Sequence, residues 1–525
     1  MRIPTKIGAN QDFILNNQHI PEVSKIKLLG VYITARLTWN THIQYIRDKS
    51  RKLMNIFKIY CNKKHGGQPK DLLCIADSTI GSLLMYVVPS IATLTKTQMA
   101  TLESLQMQYV KLSYGLPSTA TNIITRRATN TTTIACRYRK YQIKHYSSYL
   151  QKASRDDFSR RIIQLIHSND GATLVKIPIA HYIRNWTNSH NIPIDNHTTQ
   201  YPIPSDAPVF DIHIDDLPFQ DSSLPDPVIQ STFLEWATIQ DLSTFLATDG
   251  SKTDTTVSAA FVDHSTNTKA HYTLHPEATI FTAEGFAILS ALQHATETNS
   301  NITLCTDSKA ILTATNAHHD KSPSIIHNII SLINRRNKGN LQTRLVWTPA
   351  HKGITINEQA DKLAKSQPYD TKKTHYITPE DYISIINTEN KQQMDNEWYN
   401  FPNHTDYQWL TTGKHIPVMD YTDRYTTILI HRARTNSLIT NSFLHKRNLK
   451  NSDRCTFCPT EQDTTIHRLD NCHRFEPVRK KILDNNNIAR HKIFKISDCL
   501  KFTPIEICIQ SLITFFTVYK QIHNY

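Results

Sequence analysis

The sequence predicts one α/β domain embedded between mainly helical regions. Three observations carry this reading. From Thr244 to about residue 367, three short alternating runs (FLATDGS, VSAAFVD, AHYTLH) are followed by a regular alternation of helical and strand patterns. On either side, apolar residues recur at three- and four-residue steps, the period of a helix face. Between the first helical region and the α/β domain, prolines alternate with aspartates, and the pattern of packed structure stops.

Residues 1–190 read as mainly helical. Ile43, Ile46, Leu53, Phe57 and Tyr60 form one helix face, with Arg47, Arg51, Lys52 and Lys58 on the remainder. Met99, Leu102, Leu105, Tyr109 and Leu112 form a second face that stops at Gly115 and Pro117. A run of Arg137, Tyr138, Arg139, Lys140 and Tyr141 continues through Lys144, Tyr146, Tyr149, Lys152 and Arg155. Bases stack on tyrosine faces while Lys and Arg neutralise phosphates. The same run is also compatible with a solvated helix whose tyrosines turn inward.

Residues 195–232 read as an extended acidic linker. Pro202, Pro204, Pro208, Pro218, Pro225 and Pro227 are expected to exclude helix and inner strand, and Asp215-Asp216 reads as solvated rather than metal-binding. In the α/β domain the three strands precede a helix over Phe281–Glu297 and the buried strand NITLCT. A helix from Ser308, a second in SIIHNIISLINRR, the strand LQTRLVWTPA and a final helix in NEQADKLAKS complete it.

The whole chain has 525 residues, enough for three or four folded units. With 39% apolar residues it is neither disordered nor fibrous. A net charge of +14 favours a polyanionic partner. Nine cysteines are too few for a disulfide scaffold, and six stand alone, as buried thiols do in a reducing compartment. The N-terminus carries no signal-like apolar core, and the longest apolar stretch, Ser82–Leu94, is broken by Pro89 and is too short to span a bilayer. A soluble, intracellular protein is expected, with nucleus and cytoplasm not distinguished.

Four carboxylates stand where hydrophobic packing alone would not put them. Asp249 and Asp307 follow apolar strands, Glu284 lies in an Ala/Phe/Ile/Leu helix, and Asp361 lies in the last helix. Strand ends and adjoining helices converge at one rim of such a sheet. Carboxylates crowded there take up protons unless a cation holds them, and oxygen-only ligation suits Mg²⁺ or Mn²⁺.

The neighbouring residues make the pattern specific: Thr248-Asp249-Gly250-Ser251, Thr282-Ala283-Glu284, Thr306-Asp307-Ser308, Trp347 through His351 to Gly353, and Asn357-Glu358-Gln359-Ala360-Asp361. This set resembles the type 1 ribonuclease H domain, with successive acids 35, 23 and 54 residues apart and His351 ten before Asp361. The resemblance covers residues 241–368 and implies a ribonuclease H-like, five-stranded mixed sheet with helices on its faces. It further implies Asp249, Glu284, Asp307 and Asp361 as ligands of two Mg²⁺ or Mn²⁺ ions, and His351 as a proton carrier on a mobile loop. Gly285 within a helix, Ala350, and Ile356 where a glycine is usual depart from the pattern, but none removes an acid.

Lys27-Leu28-Leu29-Gly30-Val31-Tyr32-Ile33 and Leu37 through Ile43 are similar to the segment after the polymerase palm in LINE-like (non-LTR) retrotransposon polyproteins. That resemblance implies a thumb- or connection-like region over 1–190 and a chain that begins after the polymerase core. Residues 375–525 read as a C-terminal helical region holding Cys455, Cys458, His467 and Cys472, a C-x2-C-x8-H-x4-C spacing that suits zinc. His473 is an alternative fourth ligand, and a reduced, metal-free turn is the other reading. Arg424, Arg432, Arg434, His445, Lys446, Arg447 and Arg454 suggest a basic surface around it. Together these readings predict an endonuclease that cuts the RNA strand of RNA–DNA hybrids, with hybrids and single strands as partners and no membrane. The alternative is a truncated element that binds nucleic acid without cutting it.

Overall fold

A computed structural model describes residues 14–19, 23–36, 38–86, 94–152, 156–167, 178–193, 211–240, 244–319, 321–366, 368, 370–410, 423–484, 493–501 and 505–522. The chain divides into two compact units. One comprises residues 1–139 together with 390–525, and the other residues 140–389.

After a two-residue pairing of Ile14–Leu15 with Gln18–His19, the first unit forms a hairpin, β1 (Lys25–Leu28) and β2 (Val31–Thr34), inside the stretch expected to be helical. Helices α1 (Asn40–Tyr60), α2 (Pro69–Ala76), α3 (Lys96–Ser113) and α4 (Asn122–Thr129) follow. The apolar faces of α1 and α3 meet largely as expected, with Ile46, Phe57, Leu102, Leu105 and Tyr109 in one core, but Tyr60, expected on the α1 face, is exposed.

Helix α5 (Ile134–Lys152) carries the Tyr/Arg run, and part of the run turns inward. Arg137 Nη1 lies 2.8 Å from Asp77 Oδ1 and 2.9 Å from the Tyr109 hydroxyl. Arg139 bonds to Asn390 and Gln393, and the Tyr138 hydroxyl donates to Leu84 O at 3.1 Å. Tyr146 is buried and stacks on Tyr382. Packing thus takes Arg137, Tyr138, Arg139 and Tyr146 from a nucleic acid, while Tyr141, Lys144 and Lys152 stay exposed. Arg155 lies outside the described residues.

The second unit is built on a seven-stranded sheet. Its strands are β3 (Asp211–His213), β4 (Thr244–Lys252), β5 (Val257–Asp263), β6 (Thr268–Thr273), β7 (Ile302–Thr306), β8 (Thr343–Trp347) and β9 (Lys372–Lys373). Their order is β9-β6-β5-β4-β7-β8-β3. β4, β5 and β6 form an antiparallel meander, and β7 and β8 continue the sheet in parallel from β4. These five are the expected strands. The expected five-stranded sheet is extended by a short strand at each edge.

Edge strand β3 corrects the linker reading. Asp211, Ile212 and His213 pair in parallel with Arg344, Leu345 and Val346, and Arg344 Nε lies 2.6 Å from Asp211 Oδ2. Residues 226–239 then form helix α8 (Asp226–Ile239), whose Ile229 and Phe233 pack with Phe219, Val346 and Ile354. Proline does not forbid this. Pro225 is the N-cap of α8 and Pro227 lies in its first turn, where the missing N–H has no helical partner to lose. Pro202, Pro204 and Pro208 lie outside the described residues.

Helices α6 (Asp157–His167) and α7 (Pro178–Ser189) also belong to this unit. Ile143, Leu150, Ile183, Trp186, Tyr382 and Ile385 share a core. The second unit thus takes in the last part of α5 and the first part of the helix that begins at Asp381. Helix α9 (Ile280–Glu297) joins β6 to β7, and α10 (Lys309–Asn316) with α11 (Ser324–Lys338) joins β7 to β8. Helix α12 (Thr355–Lys365) follows β8. Leu246, Ile288, Leu292, Leu304, Ile329 and Leu345 lie in the core between α9, α11 and the sheet.

Helix α13 (Asp381–Tyr399) leads back to the first unit, where α14 (Arg424–Arg434) is buried at every residue. This corrects the basic-surface reading for three of its arginines. Arg424 donates to the carbonyls of Cys61, Asn62, Gly67 and Ser113, just past the end of α1 and at the end of α3. Of these, the Cys61 and Ser113 carbonyls stand at helix ends, which leave such acceptors without a helical partner. Arg432 Nε donates to Gly115 O at 2.8 Å, and burial pushes the Arg434 guanidinium down to about 10. Helices α15 (Glu476–Leu483) and α16 (Ile505–Ile522) close the unit around Phe475, Phe515, Phe516 and Tyr519.

Gly285 has a packing reason. A Cβ there would stand 2.6 Å from Ile325 Cγ1, so the glycine lets α9 and α11 approach closely. Gly285→Ala should therefore destabilise by about 1–3 kcal/mol through overpacking, instead of gaining the ~1 kcal/mol of helix propensity. A lowered thermal midpoint is expected, and a raised one would show that the contact is not tight.

Candidate active site

The strand register brings the first two acids together. Thr248 on β4 pairs in parallel with Thr306 on β7, so the residues that follow, Asp249 and Asp307, stand side by side. Glu284 reaches the same place from above the sheet. A Cβ on Gly250 would lie 2.6 Å from the Glu284 backbone nitrogen, so only glycine after Asp249 lets α9 lie this close to β4. Asp361 comes from α12, which Ser258 Oγ ties to β5 through the Ala364 carbonyl at 2.6 Å.

The electrostatics are those of crowded, half-desolvated acids. Burial and then the charges of Asp307 and Asp361 push Asp249 up to about 8. Asp307 is raised by burial and by Asp361, with His351 and Lys365 pulling the other way. Glu284 is raised by burial and by Asp307, against the Ser308 hydroxyl, which donates to Glu284 Oε2 at 2.5 Å. Lys365 Nζ lies 2.5 Å from Asp361 Oδ1, one helical turn on. Four carboxylates that repel one another and draw in a lysine form an all-oxygen donor set, which fits a hard divalent cation.

The loop between β8 and α12 is held from both ends. Thr348 Oγ1 donates to Asn357 Oδ1 at 3.1 Å, and Trp347 Nε1 donates to the Asp307 carbonyl at 3.1 Å. His351 is exposed at φ +54°, and Gly353 lies at φ +76°. Helix α8 supports the loop: Gln230 Nε2 donates to Lys352 O at 3.1 Å, and Lys352 Nζ lies 3.0 Å from Asp226. Ile356 fills a core with Phe219, Val346 and Ala360.

The sequence reading assigned no role to Ser308, Lys365 or Gln230. The signal for Lys365 was its four-residue step from Asp361, and Ser308 lay inside a motif already quoted. Gln230 had no signal, because its helix was read as linker. Asp215 pairs with Lys309 at 2.6 Å and Asp216 with His213 at 2.5 Å, as solvated acids do.

In the first unit, ligand atoms of Cys455, Cys458, His467 and Cys472 all lie within 4.8 Å of one another. Cys472 Sγ stands 3.9 Å from Cys455 Sγ and 3.8 Å from Cys458 Sγ. A tetrahedron with Zn–S bonds of about 2.3 Å has edges of about 3.8 Å. Both ring nitrogens of His467 are buried without a hydrogen bond. A π turn over His467–Asn471, closed by Cys472 N–H to His467 O at 2.7 Å, brings this pair together. His473 Nδ1 approaches Cys458 Sγ at 3.0 Å from the other side. Burial and the neighbouring thiols push Cys472 up to about 12.

Residues 241–368 match the family model described as RNase H. Residues 241–368 form an RNase H domain. That domain supports ribonuclease H activity in this segment and implies a nucleic-acid substrate for it. Among solved structures, the chain is similar to RNase H1 from the halophilic archaeon Halobacterium salinarum NRC-1. That match has 20% identity over 23% of this chain and 93% of the archaeal one, with a TM-score of 0.19. Among the described residues, no helix is long and apolar enough to cross a membrane.

Proposed function

We propose that the chain hydrolyses the RNA strand of RNA–DNA hybrids, with Asp249, Glu284, Asp307 and Asp361 holding two Mg²⁺ or Mn²⁺ ions. The observation that supports this most is the convergence of the four acids from β4, α9, the end of β7 and α12 within the RNase H domain. Ions bound there would activate a water and stabilise the leaving oxygen of a phosphodiester. The protein's own part is positioning. Ser308 holds the Glu284 carboxylate, Lys365 occupies Asp361 until a stronger cation displaces it, and α8 holds the loop from which His351 carries protons. RNA would be chosen by backbone shape and 2′-hydroxyls.

The groove between α1 and α3 suits the backbone of a nucleic acid. A cavity of about 590 Å³ there is lined by Arg51, Lys58, Ser104 and Gln108 over a floor of Met54 and Met107. A second hollow of about 320 Å³ shares Arg51 and adds Arg47. No carboxylate lines either. The same proposal assigns zinc to Cys455, Cys458, His467 and Cys472. It also sets the chain within a LINE-like retrotransposon polyprotein, on the resemblance at residues 27–43 and the order of its domains.

Asp307→Asn should remove most hybrid cleavage, by about 100-fold or more, while hybrid binding survives or tightens. His351→Ala should be milder, because water can carry the proton. Cleavage unchanged in Asp307→Asn would sink the enzyme reading. No cleavage by the parent chain with any divalent ion would leave a binding protein only.

Arg47→Glu with Arg51→Glu should weaken hybrid binding and reduce the salt slope by roughly one to two. Fluorescence anisotropy at several salt concentrations reads this, and an unchanged slope would move the contact elsewhere. Protein purified under reducing conditions should carry one zinc per chain, and Cys458→Ser should lose it while cleavage persists. Metal analysis without zinc would remove that part of the proposal.

A further inference from the structure

The acids at 380 and 381 lie outside the matched segment, yet Asp381 bonds to the helix that carries Glu284 and Glu380 to the helix packed against it. Asp381 is 1% exposed and accepts from both ends of a two-helix junction. Its Oδ1 takes Thr279 N–H at 3.0 Å and the Thr279 hydroxyl at 2.7 Å, and the Thr282 hydroxyl lies 2.9 Å from both carboxylate oxygens. Its Oδ2 also takes Thr378 N–H at 2.9 Å and the Thr378 hydroxyl at 3.0 Å. Thr279 is the N-cap of α9, and Asp381 is itself the first residue of α13. One carboxylate therefore closes the open N-terminus of α9 while anchoring that of α13.

Glu380 does the same for the neighbouring helix. Its Oε1 accepts Ser324 N–H at 2.7 Å and the Ser324 hydroxyl at 2.9 Å, at the first residue of α11. Gln151 Nε2 holds the same oxygen at 2.7 Å. Helices α9 and α11 meet at Gly285, just after the capped turn of α9, and Ile325, inside the capped turn of α11.

A helix's first turn has four N–H groups with no helical partner, so it frays unless something accepts from it. Glu284 is the fifth residue of α9, and its carboxylate can hold its place only if the turn before it is formed. We propose that Asp381 is a positioning residue for Glu284, with Glu380 fixing the α11 surface against which that turn rests. This makes the working nuclease a segment that reaches past residue 368 to the start of α13. The proposal rests on the enzyme reading above for its kinetic consequence, but its structural consequence can be read without activity.

The test uses the full chain. Asp381→Ala should lower kcat for hybrid cleavage by ten- to a hundredfold, with KM changed less than about threefold. Asp381→Asn, which keeps one acceptor oxygen, should recover part of the loss. Ile385→Ala removes a buried side chain from the same helix away from the cap, so it should lower the thermal midpoint and leave kcat in place. Hydrogen exchange should quicken at residues 280–286 in Asp381→Ala and not in Ile385→Ala. If Asp381→Ala does not fold, Thr282→Val removes one donor hydroxyl and should give the same exchange pattern with a several-fold loss of kcat. Exchange unchanged at 280–286, or a kcat loss equally large in Ile385→Ala, would overturn the proposal. A parent chain that does not cleave, with the exchange effect intact, would instead refute only the enzyme reading.

Discussion

Mutual repulsion among four half-buried carboxylates is the constraint around which the second unit is organised. Left alone, Asp249, Glu284, Asp307 and Asp361 would move apart or take up protons, and burial drives three of them towards the protonated form. Several otherwise odd local choices hold them in register. Gly250 removes the side chain that would lift α9 off β4, Ser308 gives Glu284 a donor, and Lys365 supplies Asp361 with a counter-charge. The sheet brings the backbones together, and these small contacts keep the charges there.

A second theme is the closing of helix ends by single charged side chains from distant parts of the chain. In one unit, the Arg424 guanidinium meets carbonyls at the ends of α1 and α3. In the other, the adjacent Glu380 and Asp381 meet the N–H groups that open α11 and α9. The sign matches the helix end in each case: a cation at C-termini and carboxylates at N-termini. Each buried charge is compensated by hydrogen bonds to several groups, backbone groups at helix ends among them.

Much of the α/β domain was legible because its signals are local. The alternation in FLATDGS, VSAAFVD and AHYTLH marks the meander, and Asp249, Glu284, Asp307 and Asp361 appear in order with fixed neighbours. The Cys455–Cys472 spacing was legible for the same reason: a Cys-x-x-Cys turn is a local shape. What escaped depends on partners far along the chain. Strand β3 exists only because β8 offers it an edge, and α8 only because Phe219 and Val346 cover its apolar face. Proline density hid both, since Pro225 and Pro227 flank a helix start instead of interrupting one. Composition likewise could not tell that Arg137 meets Asp77 or that Arg424 and Arg432 bind carbonyls, because a buried arginine and a solvated one look alike in sequence.

The discontinuous first unit has a consequence for synthesis. Its two halves, residues 1–139 and 390–525, are separated by the whole of the second unit. At ~5–20 residues per second, the ribosome needs roughly 7–30 s to make the final segment after residue 389 is complete. During that interval the nuclease-bearing unit has every residue it requires, while α1 and α3 still lack Arg424 and their carbonyl ends stay open. The apolar faces of those early helices can close on one another before then, so what waits for the later segment is the buried arginine's contact with their carbonyls.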